Sequence, residues 1–125
     1  MNLLLDTHAL LWALADPDEL SVRARSLIVD PKSVVFASAV SAWEIAIKKR
    51  LGKLKAPDDL LEQLEAHRFT TLDIRFSHAL AVESLPGIHD DPFDRLLVAQ
   101  AQIERLTLVT RDTRIRRYRI AHIVA

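Results

Sequence analysis

The stretch Asn2-Leu3-Leu4-Leu5-Asp6-Thr7-His8-Ala9-Leu10-Leu11-Trp12-Ala13-Leu14-Ala15 changes its period part-way along. Residues 2–5 form a short apolar run that reads as a buried strand, ending at Asp6. From Thr7 to Ala15 the leucines at 10, 11 and 14 recur at helical spacing. Asp16-Pro17 then breaks the helix.

The same alternation continues outward. Residues 19–29 carry Leu20, Ala24, Leu27 and Ile28 on one side of a second helix, stopped by Asp30-Pro31. Ser33 to Ala37 is β-branched and aromatic, hence a strand. A long helix is expected over residues 39–51, closed by Gly52. Pro57-Asp58-Asp59 opens another with acids in its first turn. Thr70 to Ile74 is a short strand, and Ser77 to Leu85 a short helix ended by Pro86-Gly87. Asp91-Pro92 starts the most apolar helix, over residues 92–105. Strands at residues 106–110 and 120–124 complete the chain. Strand and helix alternating throughout predict an α/β fold, with a mostly parallel sheet covered on both faces.

Bulk composition narrows the function. With 125 residues, half of them hydrophobic, one domain over residues 1–125 is expected. Seventeen basic and seventeen acidic side chains cancel, so any nucleic-acid contact must come from a local patch. Cysteine is absent, which excludes disulfides and thiolate metal sites and fits a reducing compartment. Asp6 and His8 interrupt the early apolar run, so it does not read as a signal peptide. No stretch approaches the roughly 18 apolar residues of a membrane span. A soluble cytoplasmic domain is expected.

In a parallel α/β sheet the functional crevice lies beyond the carboxyl ends of the strands. Asp6 and Asp112 fall there. Two more acids stand out. Glu44 shares a helix face with Val40 and Ile47, a carboxylate on an apolar stripe. Asp94 lies three and four residues before Leu97 and Val98, and so starts on the inward side of its helix. Each has a plainer reading as well. Asp6 and Asp112 suit caps, Asp91 suits the N-cap before Pro92, and Glu44 has Lys48 one turn on.

Two like charges about 5 Å apart repel by roughly 3 kcal/mol at an effective dielectric near 20. Several such pairs would offset much of a total stability of about 5–15 kcal/mol. A cluster of four acids therefore needs protons or cations. Oxygen-only donors, with no cysteine and no histidine pair at zinc-protease spacing, favour hard cations: Mg²⁺ or Mn²⁺.

Of the five histidines, only His89 lies in the loop before the acidic helix start, where a solvated or loop-bracing role is expected. Trp12 and Trp43 fall within apolar stripes and are expected in the core or an interface. Ser38, Ser41 and Thr7 suit capping or ligation. The Lys48-Lys49-Arg50 run, with Lys53 and Lys55, suits a helix C-terminus. Arg111, Arg114, Arg116, Arg117 and Arg119 stand against the single acid Asp112 over residues 111–119. That patch suits a phosphodiester backbone or an acidic partner segment.

Four stretches taken together resemble the PIN domain, in particular the VapC-type toxins of toxin–antitoxin pairs. They are Leu4-Leu5-Asp6-Thr7-His8; Ser41 to Lys48 followed by Leu51-Gly52-Lys53-Leu54; His89-Asp90-Asp91-Pro92-Phe93-Asp94-Arg95; and Thr110-Arg111-Asp112. In order and spacing they span nearly the whole chain. The resemblance implies a three-layer α/β/α sandwich with a short parallel sheet. It implies a Mg²⁺-dependent endoribonuclease leaving 5′-phosphate and 3′-hydroxyl ends. Asp6, Glu44, Asp94 and Asp112 match the acidic set, with one or two Mg²⁺. Asp91 is nearby, Thr7 and Thr110 flank the site, and Arg111 and Arg114 are candidate substrate contacts. A VapB-type antitoxin, operator DNA bound through that antitoxin, and a homodimer are implied as partners. Two positions depart from the pattern. Asp90 stands where relatives commonly carry a basic residue, and Arg114 where some carry a further acid.

Other readings remain for comparison. A receiver domain would want an acidic pair after the first strand, where Asp6 stands alone. A haloacid-dehalogenase phosphatase would want Asp two residues after the first, where this chain has His8. The alternative outside enzymology is a catalytically weak PIN-like module acting through partner or nucleic-acid binding.

Overall fold

The computed structural model describes residues 1–125. Five strands, β1 (Asn2–Leu5), β2 (Val34–Ser38), β3 (Thr70–Leu72), β4 (Thr107–Thr110) and β5 (His122–Val124), form one sheet in the order β3-β2-β1-β4-β5. Every pairing is parallel, a stricter arrangement than the mostly parallel sheet expected. Six helices cover it: α1 (Thr7–Ala15), α2 (Val22–Val29), α3 (Ala39–Arg50), α4 (Leu60–Ala66), α5 (Phe76–Ala81) and α6 (Pro92–Glu104).

The leucines of β1 show why both faces must be covered. Successive strand residues point to opposite sides, and Leu3, Leu4 and Leu5 are all fully buried. Leu3 and Leu5 join Val35, Ala37, Val109 and Ile123 in a core that takes Ala9 and Leu10 of α1, Ala24 of α2 and Leu64 of α4. Leu4 joins Leu108 in a second core with Val40 of α3 and Leu97, Val98 and Ala101 of α6. The result is a sheet covered on both faces, as the alternation of elements predicts, and the three-layer α/β/α sandwich that the PIN resemblance implies. No helix is long and apolar enough to cross a membrane.

Local chemistry sets the helix ends. Ser21 accepts from the Ala24 N–H at 3.0 Å and starts α2. Ser38 accepts from the Val40 N–H at 3.0 Å and starts α3. Gly52 takes φ +69° just past α3, as expected for a C-terminal glycine. Two expectations shift. The helix expected over residues 19–29 is split into a 3₁₀ turn at Pro17–Glu19 and α2, because Leu20 goes extended to bury itself and Ser21 caps afresh. Pro57-Asp58-Asp59 precedes α4 without entering it: Asp58 is drawn to Lys49 of α3, so its charge ties the lead-in to α3.

Candidate active site

The chain visits β1, β2 and β3 in one direction and then returns to place β4 on the other side of β1. That reversal opens a crevice at the carboxyl ends of β1 and β4, where open parallel sheets carry their sites. Asp6 follows β1 and Asp112 follows β4, one on each lip.

The Asp6 N–H donates to the Val109 carbonyl at 3.1 Å, which fixes the residue beside β4. Its carboxylate accepts from the Ala9 N–H at 2.8 Å, so Asp6 caps α1 while lining the crevice. The capping and functional readings of this residue are therefore compatible. Burial pushes the Asp6 carboxyl up, against the opposing pull of the Thr110 hydroxyl and the Ala9 N–H. Thr110 itself is fully buried beneath the site.

Thr7 turns inward from the first turn of α1. Its Oγ1 donates to Glu44 Oε1 at 2.6 Å and lies 2.9 Å from Ser41 Oγ. The other Glu44 oxygen pairs with Lys48, and the Glu44 side chain is only 6% exposed. Glu44 thus has both a hydroxyl and an ammonium partner, which is how a carboxylate is tolerated at so enclosed a position. The same pairing raises the Lys48 ammonium above its ordinary value.

Asp91 caps α6, accepting from the N–H groups of Phe93 at 2.9 Å and Asp94 at 3.1 Å. Asp94, in the first turn of α6, is different. Its carboxylate accepts no hydrogen bond, and His89 Nε2 is 3.5 Å from Oδ2. Burial, then the charges of Asp91, Asp6, Glu44 and Asp112, push Asp94 up to about 7. On the far lip Asp112 accepts from the Arg114 N–H at 2.7 Å and pairs with the Arg114 guanidinium at 3.0 Å. Partial burial acts to raise Asp112, but the Arg114 side chain and the N–H groups of Arg114 and Ile115 outweigh it and hold it low.

These side chains surround one cavity of about 330 Å³. Asp6, Glu44, Asp91, Asp94 and Asp112 line it together with Lys48, Arg111 and Arg114. All four acids singled out in the sequence meet there. No three of them converge closely enough, in the positions they occupy, to bind one ion together. Glu44 is turned to Lys48 and Asp112 to Arg114. The charge and the donor chemistry still suit a hard divalent cation. The donors are oxygens, acids outnumber the cations, and Asp94 has no partner of its own.

Several contributors escaped the sequence reading. His89, expected to be solvated or bracing, is buried, with Nδ1 2.8 Å from the Tyr118 hydroxyl. That hydroxyl also accepts from Arg95 at 3.1 Å, so Tyr118 ties His89 to α6 and holds Nε2 on the side of Asp94. Arg95 also donates to the carbonyls of Pro86 and Val82, at 2.8 and 3.1 Å, and fastens the preceding loop to α6. The signal available was the proximity of His89 to Asp91-Pro92; Tyr118 gave none. Trp12 is neither core nor interface alone, since it lines the cavity beside Arg111. Trp43 is 53% exposed, packed edge-on against Phe93. Arg111 donates to the carbonyls of Ala125 and Glu19, so it braces the lip more than it offers a free charge.

Residues 3–121 match the sequence profile of the PIN domain. The chain belongs to the PIN-domain family. Ribonuclease VapC22 of Mycobacterium tuberculosis is 32% identical over 121 residues, covering 94% of this chain and 92% of that one. The PIN fold is matched in three dimensions by the crystal structure of VapBC2 from Rickettsia felis bound to a promoter DNA fragment. That match has a TM-score of 0.73 and 17% identity, and it covers 98% of each chain. In this PIN domain the crevice between β1 and β4 is where the acidic side chains gather.

Proposed function

We propose that this PIN domain is a VapC-type toxin that hydrolyses RNA phosphodiester bonds with Mg²⁺, or Mn²⁺ in its place. The observation that carries the reading is Asp94, an enclosed carboxylate without a hydrogen-bond partner, facing four other acids across one cavity. The kinship with a protein named as a ribonuclease supports it.

Asp6 and Asp94 would hold the cation, with Asp112 completing the set and Glu44 binding directly or through water. When bound, such an ion lowers the pKa of attacking water and neutralises charge at the scissile phosphate. The protein's own groups do the rest. Thr7 holds Glu44 in place, and Asp91 fixes the first turn of α6 and with it Asp94. Lys48 and Arg114 stand at the rim, where their charges suit phosphate oxygens once Glu44 and Asp112 turn inward. A VapB-type antitoxin, operator DNA engaged through it, a homodimer and a cytoplasmic setting complete the reading.

Purified chain, freed of any partner, is expected to cut RNA in Mg²⁺ and to stop in EDTA. Cleavage that survives EDTA or Asp6→Asn would sink this mechanism. A second reading, a binding module with little catalysis, draws on the Glu44–Lys48 and Asp112–Arg114 pairs, which give two of the acids internal counter-ions. Growth arrest that persists in Asp94→Asn would favour it.

A further inference from the structure

Trp12 lines the cavity but has no task in hydrolysis. Its indole is half-buried against the core under α1, and the Arg111 guanidinium lies 4.4 Å from the ring centroid. The His8 ring, one turn earlier on α1, lies 5.8 Å away, tilted by 32°. His8 itself is exposed. Arg111 is fixed in turn, at 3.2 and 3.1 Å from the Ala125 carbonyl. The rings and the guanidinium thus form a braced shelf of flat groups on a cavity wall that is otherwise mostly charged.

A second recess of about 260 Å³ adjoins this one. It shares Thr7, His8, Glu44 and Lys48 with the acidic cavity and adds Lys53 and Leu54. His8 stands where the two recesses meet. Flat surfaces beside the acids, with ammonium groups further along, suit a single-stranded polynucleotide, whose bases stack and whose phosphates pair. The other aromatic pair, Trp43 and Phe93, is set differently. Neither ring lines the cavity, and Trp43 continues outward with Ile47 and Leu51.

Building on the ribonuclease reading above, we propose that the His8–Trp12 shelf seats an unpaired nucleobase beside the scissile phosphate, while Lys48 and Lys53 take a neighbouring backbone phosphate. Stacking of this kind accepts any base and requires the nucleotide to be out of a duplex. The substrate would then be chosen by an unpaired nucleotide at one fixed position, and only weakly by its identity.

The test uses short single-stranded RNAs in which an abasic nucleotide is walked across the cleavage site. For the wild-type chain, one position is expected to raise KM on the order of tenfold when its base is removed, the size of one base–aromatic stack. Trp12→Leu should raise KM for intact RNA by a similar factor and be indifferent to the abasic nucleotide. Trp12→Phe should keep the sensitivity. If Trp12→Leu slows intact and abasic RNAs by the same factor at every position, the indole merely braces Arg111 and the shelf is refuted. Should the wild-type chain cut none of these RNAs, binding still reads the shelf. Quenching of Trp12 fluorescence in a Trp43→Phe background, weakened by the abasic nucleotide, supports the shelf and overturns only the ribonuclease reading. Absence of that quenching overturns the shelf.

Discussion

Gln100 and Asp94 lie on the same helix, six residues apart; the amide is enclosed in the fold, whereas the carboxylate is half-buried and lines the acidic cavity. Gln100 is fully buried and fully engaged. Its Oε1 accepts from Ser38 at 2.6 Å, and its Nε2 lies 3.3 Å from both the Asp73 carbonyl and His78 Nδ1. His78 goes on to Glu104 at 2.9 Å, so the string runs from the start of α3 across to α5 and α6 with its ends occupied. Asp94 accepts nothing and faces four other acids. The buried amide is matched by the protein itself; the half-buried carboxylate is left for something to match it. Buried groups normally find partners within the chain, so a group that does not is the better pointer to a site.

That contrast can be broken most directly at Asp94. Asp94→Asn is expected to lower RNA cleavage by more than about a hundredfold, since even partners outside the ligand shell are worth 10–100-fold. Opposite signs for activity and stability should appear together. In metal-free protein the folded Asp94 keeps its proton up to about pH 7, whereas the unfolded chain releases it near the ordinary carboxylate value. The folded state then binds more protons than the unfolded one between about pH 4 and 7, so stability falls as pH rises through that window. The loss amounts to roughly 4 kcal/mol at most. Asp6, also raised, acts in the same sense. Asp112, held low, stabilises above the ordinary carboxylate value and loses this contribution on acidification. Urea unfolding across this range should show the slope in wild-type protein and a much flatter one in Asp94→Asn. An unchanged slope would break the comparison.

Gln100→Leu should do the reverse. It strips partners from the Ser38 hydroxyl and the Asp73 carbonyl, costing roughly 2–4 kcal/mol in a urea midpoint at about constant m. The kcat of the folded fraction should barely move. A large fall in kcat would mean that the string also positions the site.

The smallest effect concerns Asp112, which lies between the two extremes: its carboxylate is engaged, but by an exposed arginine. Arg114→Ala should lower the Mg²⁺ concentration for half-maximal cleavage by a few-fold, as Asp112 is released. A rise instead would show that Arg114 serves the substrate first.

Much of this contrast was legible in the linear chain. The switch of period between Leu5 and Thr7 gives β1 and α1, and the acids at strand ends follow from the parallel topology. Asp91 against Asp94 could also be separated, because capping geometry is local. The remainder depends on contacts between distant segments. His89 is buried because Tyr118 and Arg95 meet it, and Asp58 is diverted by Lys49. On α3 the apolar spacing is ambiguous. Val40 and Ile45 go inward, whereas Trp43, Ile47 and Leu51 are exposed, so Glu44 shares its inward side with Val40 more than with Ile47. Periodicity counts apolar residues around a helix; it does not say which side the sheet will occupy.

The sheet order has a consequence for how the molecule comes into being. β1 is the central strand, and its partner β4 lies about a hundred residues later. Contacts this distant in sequence form late, because the loop they close must be closed first. A nascent chain carrying Asp6, Glu44 and even Asp94 has only one lip of the crevice until residues 107–112 have been added. The position of β4 therefore withholds the acidic cavity until that strand has joined the sheet.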